Sequence, residues 1–147
     1  MKTFKKEYVL LDVDIKTKKE ALAFIAAKAT EFGISNDQSK TEEDLWVREN
    51  EFNTAIGSSI AIPHTKSESI NIPVVLIIKT RNLIDWDNEN VEIIITFLSP
   101  KESKDNIHLT MLSKISRKLV NEEFKDILRE SNDIDLIYKM IMDALNS

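Results

Sequence analysis

Cysteine is absent from this 147-residue chain, and histidine and glycine occur only twice each. Without cysteine there is neither a disulfide framework nor a thiolate metal site. Gly33 and Gly57 are too few for a Walker loop or a dinucleotide fingerprint, which need several closely spaced glycines. ATP or NAD binding by either route is excluded. No apolar run approaches the roughly 18 residues that cross a bilayer. The basic start Met1-Lys2-Thr3-Phe4-Lys5-Lys6-Glu7 has no apolar stretch behind it, as a secretory signal would. These absences predict a cytoplasmic protein with no membrane-inserted segment. Net charge is −5, with both signs interspersed, so the basic face that nucleic acid requires is missing.

What is present is ordinary for one globular domain, 42% hydrophobic and 31% charged. That length buries a core without covalent staples, so a single domain over residues 1–147 is expected. Residues 8–11 read as a first strand. Thr17-Lys18-Lys19-Glu20 matches a capping box, and Ala21, Leu22, Phe24, Ile25, Ala29 and Phe32 follow at helical spacing. Gly33 then stands where a helix-terminating residue belongs. A second helix is predicted from Asp37 or Ser39 to Glu51, followed by an irregular segment over 52–59 and a short strand ending at His64. The β-branched runs at 74–78 and 91–98 read as interior strands. Pro100 and the polar stretch 101–106 end that pattern, and helices are predicted from Ile107, over 121–129 and over 133–145. The class is α/β: a mixed sheet flanked by helices on both sides.

Chemistry concentrates in Ile60-Ala61-Ile62-Pro63-His64-Thr65-Lys66. Pro63 fixes its own φ and pushes Ile62 towards extended geometry, so His64 is presented from stiff backbone. A neutral imidazole there can attack an electrophile, accept a proton or ligate a metal. Gly57 permits a sharp turn or a close approach just upstream, and the hydroxyls of Thr54, Ser58, Ser59 and Thr65 are candidate donors to an anion. Arg48 lies near the end of the second helix. His108 opens the helix after Pro100 on the same stripe as Leu112, Ile115 and Leu119, which turns its ring inward. A histidine at the edge of the core is the plain account of it. The other is a second imidazole facing His64. No HExxH or comparable spacing exists, so no metal or other cofactor is expected. No nucleophile elbow supports a serine triad.

The segment Arg48-Glu49 … Thr54-Ala55-Ile56-Gly57-Ser58-Ser59-Ile60-Ala61-Ile62-Pro63-His64 closely resembles the phosphorylation-site signature of a known family. The family is the EIIA domains of the bacterial phosphoenolpyruvate-dependent sugar phosphotransferase system, fructose/mannitol class (type 2). The first strand and capped helix, the strand over 91–98 and the His-Leu-x-x-Leu start of the helix at 108–112 are similar too. The resemblance implies that His64 accepts a phosphoryl group, that Arg48 holds its oxygens and that His108 is the second active-site histidine. It implies HPr as donor and a sugar-specific EIIB, with its membrane EIIC, as acceptor. Ser59 departs from a usual glycine, and Thr65 from a usual small residue. A free-standing regulator of the nitrogen-related EIIA type is the alternative. A plain α/β protein with two unrelated histidines would instead place His64 and His108 far apart.

Overall fold

The computed structural model describes residues 3–103 and 106–147. Met1 and Lys2 lie outside the described residues, as do Lys104 and Asp105 of the polar stretch after Pro100. After a 3-10 turn at Lys6–Tyr8 come β1 (Val9–Val13), α1 (Lys18–Glu31), α2 (Gln38–Glu51), β2 (Ala55–Gly57), β3 (Ile60–Ala61) and β4 (His64–Ser67). β5 (Val74–Trp86), β6 (Glu89–Pro100), α3 (Ile107–Lys118), α4 (Glu122–Glu130) and α5 (Ile134–Leu145) complete the chain. Among the described residues the strands form one six-stranded mixed sheet ordered β1-β5-β6-β3-β2, with β4 also paired to β6. β5 and β6 are antiparallel, β1 runs parallel to β5, and β3 and β4 run parallel to β6. α1 packs with α2 in one layer and α3 with α5 in another, so helices flank the sheet on both sides.

Local chemistry accounts for the helix ends. Thr17 Oγ1 accepts the Glu20 N–H at 3.0 Å, capping α1. At the other end Gly33 takes φ +75°. Ile34 N–H then reaches the Ala29 carbonyl at 2.8 Å and Gly33 N–H the Thr30 carbonyl at 3.1 Å, the pair of bonds that closes a Schellman end. Asp37 caps α2 by accepting the Lys40 N–H at 3.0 Å.

Four strand boundaries differ from the sequence expectation. Tyr8 closes the 3-10 turn, so the first strand begins at Val9 rather than residue 8. The segment 52–59 is not wholly irregular, because Ala55 to Gly57 pair with β3. His64 opens β4 instead of ending a strand. The runs at 74–78 and 91–98 are only the inner parts of β5 and β6. Their outer parts include exposed Arg81, Asn82 and Leu83, which hide the strand period. The hairpin closes at Asp87 (φ +52°) and Asn88 (φ +76°), a two-residue turn with both central residues left-handed. That geometry matches the right-handed twist of the strands, and Asp and Asn tolerate it better than most residues.

Candidate functional site

β3 and β4 follow one line along β6, with a break between them. Ile60 and Ala61 pair with Ile93 and Ile94, and His64 to Ser67 pair with Phe97 to Pro100, a constant offset of 33 positions. Pro63 has no N–H to give to the ladder, yet its carbonyl accepts the Phe97 N–H at 3.2 Å and so keeps the register. His64 therefore emerges at a fixed point along β6. α2 packs against β4 and brings Arg48 beside it, and α3 packs against β6 and brings His108.

The hydrogen bonds of His64 define its tautomer. Its Nδ1 lies 2.8 Å from the Ile62 carbonyl, which can only accept, so Nδ1 carries the proton. Its Nε2 lies 3.1 Å from Arg48 Nε, a permanently protonated donor, so Nε2 presents a lone pair. Burial lowers the His64 pKa below its ordinary 6.5, and the neighbouring Arg48 charge lowers it further against the Ile62 bond. The ring is an uncharged nucleophile at neutral pH. Arg48 is anchored as well, through Nη1 donating to the Phe52 carbonyl at 3.0 Å.

His108 stands 5.6 Å from His64 between ring centroids, tilted by 50°. The two histidines are thus brought together rather than left far apart. Burial pushes the His108 pKa down to about 4, helped by His64 once that ring is protonated and by the charge of Lys66. Both rings line an open pocket of about 390 Å³ together with Arg48, Asp44, Lys66 and Lys101. The pocket mixes charge signs, since Glu51 and Glu68 line it too.

Beneath one wall runs a chain of buried hydroxyls that spacing alone did not reveal. Ser67 Oγ donates to Asp44 Oδ2 at 2.6 Å, because a carboxylate only accepts. Ser67 has no second proton, so Ser69 donates to it at 2.8 Å, Thr41 to Ser69 at 2.6 Å, and Ser35 to Thr41 at 2.7 Å. Every proton in the chain points towards Asp44. The chain ties α2, which carries Arg48, to the end of β4, which carries His64.

Glu49, next to Arg48, is a second anchor. Its carboxylate accepts from Thr54 N–H at 2.9 Å, Thr54 Oγ1 at 2.7 Å and Trp86 Nε1 at 3.0 Å, and meets Lys18 Nζ at 3.0 Å. The Thr54 hydroxyl therefore faces Glu49 and is not free for a ligand. Trp86 and Lys18 carry no sequence signal for this role, because hairpin register and α1 packing bring them in.

The structure does not bring Gly57, Ser58 or Ser59 into the pocket. They form the tight β2–β3 turn, with φ +85°, +57° and +64°. Ser59 thus holds the left-handed conformation that glycine adopts without strain. Lys125 Nζ donates to Ser58 Oγ at 3.0 Å and Arg129 Nη1 to the Ser58 carbonyl at 3.0 Å, handing this turn to α4. Thr65 lines the pocket. Among the described residues no group of three or more His, Asp or Glu side chains is placed to hold a metal ion, and no helix is long and apolar enough to cross a membrane.

Fold and site together define an α/β protein that presents an uncharged imidazole nitrogen beside a guanidinium in a solvent-open pocket. Residues 2–144 match the family described as "Phosphoenolpyruvate-dependent sugar phosphotransferase system, EIIA 2", and the chain belongs to that family. It is 29% identical over 139 residues to multiphosphoryl transfer protein 2 of Escherichia coli strain K12, covering 95% of this chain but only 17% of that protein. It is 32% identical over 138 residues to a nitrogen regulatory protein of Bradyrhizobium diazoefficiens, covering 92% of this chain and 89% of that one. The fold is similar to that of nitrogen regulatory protein IIA-Ntr from Neisseria meningitidis, with TM-score 0.85, 22% identity and coverage of 95% of this chain and 96% of that chain.

Proposed function

We propose that this chain is a cytoplasmic phosphocarrier of the phosphoenolpyruvate-dependent sugar phosphotransferase system. It accepts a phosphoryl group from HPr on His64 and passes it to a sugar-specific EIIB paired with a membrane EIIC. The observation that carries this reading is the bond arrangement of His64, with Nδ1 donating to the Ile62 carbonyl and a lone pair on Nε2 facing Arg48.

The step follows from that geometry. Nε2 attacks phosphorus, an N–P bond forms, and the bond to the donor imidazole breaks, returning its electron pair to the donor nitrogen. The proton stays on Nδ1, which keeps donating to the Ile62 carbonyl. Phosphoryl transfer asks mainly for positioning and charge stabilisation. Arg48 moves its Nε–H from Nε2 to an oxygen of the arriving group while Nη1 stays on the Phe52 carbonyl. The guanidinium then offers planar, permanently charged donors to the equatorial oxygens. His108, uncharged and one ring away, donates a further hydrogen bond.

A regulatory role, in which phosphorylation of the same residue alters partner binding, is supported by the 32% identity to a nitrogen regulatory protein of similar length. Onward transfer to an EIIB with sugar phosphorylation separates the two. The central test is intact mass after incubation with phosphoenolpyruvate, Enzyme I and HPr. One acid-labile phosphoryl group on wild type, and none on His64→Ala, is expected. Labelling that survives in His64→Ala overturns the assignment.

A further inference from the structure

Ser99 lies on β6, fully buried, opposite Lys66 of β4. Paired residues project from the same face of a sheet, and that face repeats every two residues. Ser99 therefore shares the face of Phe97, whose partner is His64. The Ser99 hydroxyl sits 2.9 Å from His108 Nδ1, and among the described residues it has no other side-chain partner. Two proton arrangements fit that distance. In one, His108 Nδ1–H donates to Ser99, and the buried hydroxyl proton is left without an acceptor among the described residues. In the other, Ser99 O–H donates to Nδ1, and both groups are satisfied. A buried donor without a partner is the costlier state, so the second arrangement prevails.

We propose that Ser99 is a positioning residue that holds His108 in the Nε2–H tautomer, so that the two active-site rings meet the pocket with opposite hydrogen-bond character. His64 is Nδ1–H with a lone pair on Nε2. His108 is the reverse, with Nδ1 turned to Ser99 and Nε2–H left for the pocket. One imidazole receives phosphorus, and the other gives a proton-bearing nitrogen to an oxygen. Phosphoryl oxygens only accept hydrogen bonds, so the other His108 tautomer would face them with a lone pair. The depressed His108 pKa keeps the ring neutral at physiological pH. Charge therefore does not override the tautomer choice.

The functional half of this inference rests on the phosphocarrier reading; the tautomer does not. The test is long-range ¹H–¹⁵N correlation of the histidine rings in the unphosphorylated protein, in wild type, Ser99→Ala and Ser99→Thr. Wild type should show His108 Nε2 protonated and Nδ1 unprotonated, with His64 the reverse. Ser99→Ala should move both His108 nitrogens to the intermediate shifts of exchanging tautomers and slow phosphoryl acceptance about 10-fold, a typical scale for a lost orienting bond. Ser99→Thr, which keeps the hydroxyl, should restore both. A wild-type His108 protonated at Nδ1 overturns the proposal, as does a Ser99→Ala protein with unchanged ring shifts. The wild-type spectrum decides even if Ser99→Ala fails to fold. A chain that never takes a phosphoryl group sinks the phosphocarrier reading and leaves the tautomer to the spectra.

Discussion

The β2–β3 turn at Ser58–Ser59 and the proline break at Ile62–Pro63 are close in sequence, and both look like ligand loops. They end in different parts of the molecule. Between Ser59 and His64 the chain is nearly extended along β6, and at about 3.3 Å per residue five steps span about 16 Å. Ser58 is consequently held by Lys125 and Arg129 of α4, whereas His64 faces Arg48 of α2 and His108 of α3. A cluster of hydroxyls close together in sequence is therefore poor evidence for a site. The partners of His64 come from residues 16 positions before it and 44 after it, through helix packing.

Glu49 anchors the entry to β2 beside Arg48, and removing it should have the largest effect on stability. Its carboxylate is buried, binds Lys18 and accepts three hydrogen bonds. Glu49→Ala leaves the Trp86 and Thr54 donors without their acceptor and Lys18 with only Asp87. Breaking a buried ion pair on one side costs about 3–5 kcal/mol. Chemical denaturation should show a loss of that order. Because Glu49 precedes the turn into β2 and adjoins Arg48, the variant should also blur the His64–Arg48 contact, read from the His64 ring shifts. A loss under about 1 kcal/mol would mean that Glu49 is not an anchor of this part of the fold.

Much of the molecule was legible in the sequence, for reasons that differ by element. The capping residues Thr17 and Asp37 and the terminating Gly33 act within one or two turns, so local spacing reveals them. His64 was legible because Pro63 marks stiff backbone. His108 was legible as an inward-facing residue of an amphipathic helix. The outer half of the β5–β6 hairpin was not, since exposed Arg81, Asn82 and Leu83 interrupt the alternation before buried Ile84 and Trp86 resume it, and its turn uses Asp87-Asn88 without glycine. Nor were Trp86 and Lys18 around Glu49, Ser99 behind His108, or the hydroxyl chain to Asp44. Each of these depends on contacts between elements far apart in sequence, which periodicity does not encode.

Acid should distinguish the pocket from the turn by the next-largest effect. The His108 pKa falls from 6.5 to about 4 on folding, and that of His64 falls too. Between those values the unfolded chain's histidines bind more protons than the folded one's, so the histidine contribution to stability declines as pH falls from about 6.5 to about 4 and levels off below. His108 is only partly buried, so solvent screening keeps its share below the full 1.36 kcal/mol per pKa unit, at about 1–2 kcal/mol across that window. Denaturation at pH 7 and pH 4.5 should show a smaller drop for His108→Asn than for wild type. Equal drops would show that His108 does not contribute to the acid response. The β2–β3 turn contains no histidine, so amide exchange should loosen first around β4 and α3.

Ser58→Ala sharpens the same contrast from its quiet side. Ser58 is exposed, and its side chain makes one bond, from Lys125. Lys125 keeps Glu122 at 2.8 Å, and the Ser58 carbonyl keeps Arg129. Alanine tolerates the left-handed φ of +57° no better than serine does. Destabilisation of about 0.5 kcal/mol is expected. Phosphoryl acceptance should match wild type, because nothing in the turn reaches the pocket that His64 lines. A tenfold slowing in Ser58→Ala, with stability unchanged, would bring the turn into the chemistry and break the separation that 16 Å of extended strand imposes.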